Sequence, residues 1–308
     1  MQKQSGSFLS SDGQHRIHTV IWLPAQGPKA VLQIVYGMAE YAERYEPVAR
    51  FFTKQGLAVA IHDHLGHGKS IRSRQELGYF GPNGQENLIE DSHLWTQRLH
   101  QIWPTKPLFI LGHSMGSIIT SLVLGRYAAD YTGGILMGNV YLPKILAPVM
   151  PMIRWKAKLT AKRPDHGLNI LAFGLYSWYF DRLEFFSWLS NDPAEIEKYK
   201  QDPLLGFTFT TNGFLTLFTL LQMQAKGDWL AQLPKDFPLL AISGRKDPVG
   251  DFGKQQKWLA QMVANNRLKK VTKKEWPELR HELFFERQPD RTQVETYIAN
   301  WLQQQMFS

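Results

Sequence analysis

Residues 111–117 read LGHSMGS, with Ser114 between Gly112 and Gly116. A serine so flanked suits a sharp strand-to-helix turn that raises its hydroxyl above a sheet, because small residues two before and two after let the chain bend. Alone, G-x-S-x-G is a weak signal. Here a buried apolar run, 107–113, precedes it and an apolar helical stretch follows, which is the setting the motif requires. A serine hydroxyl is a poor nucleophile without a base, and the base needs a partner to orient it. In this architecture the order along the chain is Ser, then Asp or Glu, then His. Asp247 stands in RKDPVG, just past the apolar run 237–244, and His281 in ELRHELFFE is the only histidine after His166. The expected trio is Ser114 as nucleophile, Asp247 as orienting acid and His281 as base, with Asp251 the alternative acid. Against it stand plainer readings: Ser114 as a helix N-cap, Asp247 as a turn former before Pro248, His281 as a surface histidine.

Acyl chemistry at such a serine also needs donors for the developing oxyanion. The backbone N–H of Met115, next after the nucleophile and at a helix N-terminus, is one. The loop YGMAEYAERY after the apolar run 29–36 offers the second, Met38 N–H, with Gly37 allowing the turn. A rival constellation lies at 61–70, IHDHLGHGKS, where His62, His64 and His67 approximate the H-x-H-x-D-H run of a binuclear metallohydrolase. Gly66 stands where that run needs its aspartate, and no downstream ligand supply remains once His281 is the base. This stretch is therefore expected to be a loop that supports the site, with no metal.

Elements that could position these groups alternate along the first half. Strand texture appears at 14–24, 29–37, 57–64, 107–113 and 133–140, separated by helical spacing over 40–55, 87–103 and from Ser114 onward. Continuous apolar runs between helices indicate a parallel sheet covered on both faces, an α/β fold. Residues 141–235 break the pattern, with helical, aromatic-rich stretches and no clear buried strand. Strand texture returns at 237–244 and 268–276, and an amphipathic helix closes the chain over 290–305. The middle therefore reads as an insertion into a continuing sheet. Its aromatics, among them Phe173, Tyr176, Trp178, Phe185, Phe186, Phe207, Phe214 and Phe218, are either an apolar pocket or the insertion's own core, and their excess favours an apolar acyl group over a sugar or charged substrate.

The 308 residues, 44% hydrophobic, suffice for one large core, and the absence of cysteine excludes disulfides and thiolate–metal sites. The polar start, 1–10, lacks the apolar run of a signal peptide, and 107–127 is broken by GHSMGS and makes a poor membrane span. A cytoplasmic protein is expected. The net charge is +8, and 141–164 carries Lys144, Arg154, Lys156, Lys158, Lys162 and Arg163 with no acid. Interleaved with Met150, Met152, Ile153 and Trp155, this stretch could rest peripherally on an anionic membrane; a solvated face is the plain reading and nucleic acid the weakest.

Taken together, GMAEYAERY, DHLGHGKS, GHSMGS, GRKDPV and RHELFFE resemble the loops of the α/β-hydrolase superfamily, and more closely its monoacylglycerol lipase and lysophospholipase-like, serine aminopeptidase S33-type branch. The resemblance spans nearly the whole chain. It implies a hydrolase core over 1–140 and 236–308 and a cap over 141–235 that shapes an acyl pocket. It also implies a Ser114–His281–Asp247 esterase with Met38 and Met115 as oxyanion amides, needing no cofactor. The implied substrate is a small lipid-like ester such as a monoacylglycerol, a lysophospholipid or a simple ester; an aminopeptidase-like or thioesterase activity is the alternative. One departure is Tyr36-Gly37 where the family usually has His-Gly. Tyr36, Gly37 and His113 are accordingly expected beside the substrate, Tyr36 altering the pocket's shape and His113 also bracing the turn.

Overall fold

The computed structural model describes residues 1–142 and 146–306. Lys144 of the basic stretch lies outside the described residues. Eight strands form one sheet: β1 (Gln2–Leu9), β2 (Arg16–Leu23), β3 (Ala30–Val35), β4 (Leu57–His62), β5 (Leu108–His113), β6 (Gly133–Met137), β7 (Leu239–Gly244) and β8 (Val271–Trp276). Their spatial order is β1-β2-β4-β3-β5-β6-β7-β8. The first two strands pair antiparallel, β2 meets β4 antiparallel, and every later pairing is parallel. The expected α/β fold is thus present, with an antiparallel edge.

Period-two alternation splits the apolar runs between two faces. Val31 and Val35 of β3, Ala58 and Ala60 of β4, and Leu108 and Ile110 of β5 enter one core; Leu32, Ile34, Val59, Ile61, Phe109 and Leu111 enter the other. On the second face lie α1 (Glu46–Lys54), through Val48, Ala49 and Phe52, and α10 (Asp290–Met306), through Val294, Ile298 and Trp301. On the first face lie α2 (Gly84–Ile102), α3 (Met115–Tyr127) and α9 (Lys254–Asn265), through Leu88, Ile118 and Leu259. The helix expected from residue 40 begins at Glu46, after a 3-10 turn over Ala42–Tyr45. Pro47 explains the delay: it lacks an N–H and fits only the first helical turn.

Between β6 and β7 the chain leaves the sheet for α4 (Leu146–Thr160), α5 (His166–Phe173), α6 (Pro193–Gln201), α7 (Thr211–Ala225) and α8 (Asp228–Gln232). This stretch is not uniformly peripheral. In α7, Phe214 and Leu220 are fully buried in the same core as α3, and Gln224 donates to Ser121. Trp229 of α8 lies so close to α3 that a Cβ on Gly125 would come within 2.7 Å of it. By contrast α4 and α5 turn large apolar side chains outward, including Trp155, Leu159, Ile170 and Leu171. Among the described residues no helix is long and apolar enough to cross a membrane.

Candidate active site

Ser114 sits between β5 and α3 at φ 53°, ψ −121°, a left-handed conformation that β-carbon-bearing residues adopt only under constraint. The constraint is visible in its neighbours. A Cβ on Gly116 would fall 1.9 Å from the Val35 carbonyl oxygen, and one on Gly112 would fall 2.3 Å from the Gly116 carbonyl oxygen. Both positions therefore require glycine for close approach. Ser114 N–H donates to the Met137 carbonyl at 3.0 Å, fixing the turn to β6. The hydroxyl makes no capping bond to α3; it lies 2.8 Å from His281 Nε2. His281 Nδ1 in turn lies 2.8 Å from Asp247 Oδ2, and both side chains are buried. Asp247 follows β7, and its other oxygen accepts Val249 N–H at 2.8 Å. Asp251 is engaged elsewhere, in an ion pair with Lys254.

Of the two expected oxyanion donors, Met115 directly follows this serine and Met38 lines the same cavity. Met115 opens α3, where first-turn N–H groups have no acceptor within the helix. Met38, with Ala39 and Glu40, lines the same cavity as Ser114. The loop carrying Met38 is held from several directions. Glu40 Oε1 accepts Gly37 N–H at 3.0 Å; Ala39, at φ 54°, donates its N–H to His67 Nε2 at 3.1 Å; and the Ala39 carbonyl accepts Gly206 N–H. Gly37 is needed for space rather than for an unusual φ, since its Cβ would sit 2.7 Å from Glu40 Oε1 and 3.1 Å from the Ser114 Cβ.

Placement corrects the expectation for Tyr36. Its phenol does not reach the substrate cavity; it is fully buried beneath the loop, donating to Asp63 Oδ1 at 3.1 Å and accepting His64 N–H at 2.8 Å. The reason is strand geometry: Tyr36 directly follows β3, and its side chain falls on the face covered by α1. Gly37 likewise contributes no wall, whereas His113 does line the cavity. The histidine-rich stretch packs under the same loop. His64 Nε2 is bonded to the Tyr36 carbonyl, and His67 Nδ1 donates to the Leu65 carbonyl, which leaves Nε2 to accept from Ala39. Burial holds the two imidazoles down, to about 4 for His64 and about 3 for His67, and puts His62 well below its ordinary value. Among the described residues no group of three or more His, Cys, Asp or Glu side chains is gathered to hold a metal ion.

The cavity above Ser114 encloses about 1270 Å³, its mouth included. Phe173, Phe185, Phe186, Phe207 and Phe218 from the inserted stretch line it. Trp178 does not, being exposed, and Phe214 is core. Sequence reasoning missed Trp188, whose ring lies 5.4 Å from that of His281 and stacks on Phe173. It also missed a buried ion cluster at the cavity edge. Arg44 donates to Glu40 Oε2 at 2.7 Å and to both oxygens of Glu282 at 2.7 and 2.8 Å, and lies over the Phe285 ring. The i, i+4 spacing of Glu40 and Arg44 was the available signal; Glu282 gave none beyond adjacency to His281.

A serine at a strained elbow, bonded to a histidine that is bonded to an aspartate, on a sheet of this order, defines an α/β-hydrolase. The profile of the family described as serine aminopeptidase, S33 matches residues 26–288, and the chain belongs to that family. It is 28% identical over 289 residues to monoglyceride lipase of Homo sapiens, covering 91% of this chain and 87% of that one. It is 30% identical over 301 residues to monoacylglycerol lipase of Mycolicibacterium smegmatis, covering 96% and 95%. Among solved structures, a highly thermostable carboxyl esterase from Bacillus coagulans superposes with a TM-score of 0.92 at 25% identity, over 99% of each chain. The protein is a carboxylic-ester hydrolase of the α/β fold.

Proposed function

We propose that this hydrolase cleaves esters of an apolar acyl chain, of the monoacylglycerol, lysophospholipid or simple-ester kind, through Ser114, His281 and Asp247. The observation that carries the reading is the unbroken chain of 2.8 Å contacts from Ser114 Oγ through His281 to Asp247 at the floor of an aromatic-walled cavity. Ser114 Oγ attacks the ester carbonyl while His281 Nε2 takes its proton. Asp247 fixes the tautomer with the proton on Nδ1 and stabilises the imidazolium. The N–H groups of Met38 and Met115 receive the oxyanion, each worth about 10²–10³ in turnover. Collapse expels the alcohol, protonated by His281, and leaves the acyl group on Ser114. Water, deprotonated by His281, then releases the carboxylate and restores the serine. No step draws on a cofactor. The inserted stretch, 141–235, acts as the cap that shields these charges from water.

The aminopeptidase-like alternative needs a free carboxylate to hold a substrate ammonium. Four acids of the inserted stretch are otherwise engaged: Glu184 pairs with Lys200, Glu195 with Lys198, Asp192 caps α6, and Glu197 accepts from Gln201. Glu40 and Glu282 are taken by Arg44. This favours a neutral ester. A peripheral contact with anionic membrane is supported by the outward stripe Met152, Trp155 and Leu159 of α4, flanked by exposed Arg154 and Lys158. Leu171, exposed yet lining the cavity, links this face to the entrance. One panel tests both: nitrophenyl esters of graded acyl length, an aminoacyl amide, and monoacylglycerol in neutral or anionic vesicles. The reading expects the longer apolar esters to be preferred, the amide untouched and anionic vesicles to raise the rate. Preference for the amide would overturn it, and equal rates in both vesicles would remove the membrane contact.

A further inference from the structure

His113, the residue before the nucleophile, has both ring nitrogens facing acceptors. Nδ1 lies 3.2 Å from the Glu40 carboxylate, and Nε2 lies 3.4 Å from the His281 carbonyl oxygen. A neutral imidazole has one N–H and one lone pair. Whichever tautomer it took here, it would aim the lone pair at an oxygen's negative charge. The Tyr45 hydroxyl, 3.4 Å from Nδ1, could donate to a lone pair there, but Glu40 Oε1 would then keep only the Gly37 N–H, with its charge met only by an Arg44 that also serves Glu282.

The charge balance makes the same point. His113, Glu40, Arg44 and Glu282 are all buried, with side-chain exposures of 2, 3, 7 and 4%. Two carboxylates face one guanidinium, and an unpaired buried charge is strongly unfavourable. Arg44 keeps the Glu40 carboxyl ionised, down at about 2 against the push of burial. A positive charge at His113 closes the balance.

We propose that His113 is a positioning residue held as an imidazolium, an electrostatic staple that ties the loop of the Met38 amide to the loop of the base across the nucleophile elbow. On one side it grips Glu40, whose same oxygen holds Gly37 N–H and so anchors the loop at the residue before Met38. On the other it grips the backbone of His281. The staple rests on the catalytic reading only for its consequence; its charge state stands apart from it. The groups that face the ring are Glu40, Arg44 and Tyr45 from the loop and turn after β3, and His281 and Glu282 from the loop after β8, with Asp247 behind His281. Burial disfavours the charge and Glu40 outweighs it, so the imidazole is raised above its ordinary range. The positive charge also lies beside His281, ring centres 5.0 Å apart, and opposes premature protonation of the base.

The test is nitrogen NMR of the ¹⁵N-histidine-labelled wild-type protein at neutral pH, together with Glu40→Gln. The wild-type is expected to show one buried histidine with both ring nitrogens protonated. Glu40→Gln, which leaves Arg44 and Glu282 balanced, should convert that signal to a neutral ring and lower kcat roughly tenfold with KM little changed, short of the loss of a whole oxyanion donor. A neutral His113 in the wild-type would overturn the proposal, whatever the enzyme hydrolyses. So would an imidazolium signal that survives Glu40→Gln. If that variant fails to fold, the wild-type spectrum alone decides.

Discussion

At the scale of single residues, the site is set by where a β-carbon cannot go. Gly112, Gly116 and Gly37 each leave room for an oxygen or for the serine itself, and Ser114 pays with a left-handed backbone. Gly116→Ala would drive a methyl group into the Val35 carbonyl at 1.9 Å. The cost is expected to be roughly 3 kcal/mol, at the upper end for overpacking, with turnover lost alongside. Urea unfolding checks this against Gly27→Ala, whose added Cβ meets nothing within 4 Å; equal stability of the two would refute the steric account. Ser114, Asp247 and His281, which the structure brings into contact, were legible because each occupies a fixed place in a loop whose order the fold dictates. Tyr36 was not legible. Sequence gives the residue after a strand but not which face it turns to, and one position's difference reverses a side chain.

At the scale of elements, the strands with two buried faces announced themselves as apolar runs, whereas β1 did not. Its residues QKQSGSFL are exposed except for Phe8, and its order comes from ladder pairing with β2 rather than from burial. The helices of the inserted stretch could be expected as helices, but not that α7 and α8 would join the core of α3, since that depends on tertiary packing. The loop 62–67, expected from its sequence to support the site, does pack beneath the loop of Met38, and its imidazoles are structural props. Their depressed titration has a sign. A histidine whose folded value lies below its unfolded 6.5 binds fewer protons folded than unfolded, so stability is full above about pH 6.5. It is then lost as pH falls toward the folded values near 4 and 3. Each such histidine should cost on the order of 1 kcal/mol per pH unit in that window. The urea midpoint is expected to drop steadily between pH 7 and pH 5; an unchanged midpoint would show that these rings take protons without loss.

At the scale of the whole molecule, the sheet brings three distant loops to one end, and the inserted stretch roofs them with aromatic rings. Arg280 fastens that roof to the base loop, donating to the carbonyls of Ser187 and Ser190, while Glu282 N–H reaches the Leu189 carbonyl. The segment around Trp188 is therefore pinned over His281, and the outward apolar face of α4 and α5 stands apart from it. Family kinship and fold agree on ester hydrolysis; what ties this chemistry to one atom is the Ser114 hydroxyl. Its reaction with a fluorophosphonate, followed by mass spectrometry of the intact protein and its peptides, tests that directly. One adduct is expected, on Ser114, with ester hydrolysis abolished in step; Ser114→Ala should fold normally, take no label and hydrolyse nothing. Labelling at another residue, or turnover retained in pure Ser114→Ala protein, would contradict the account.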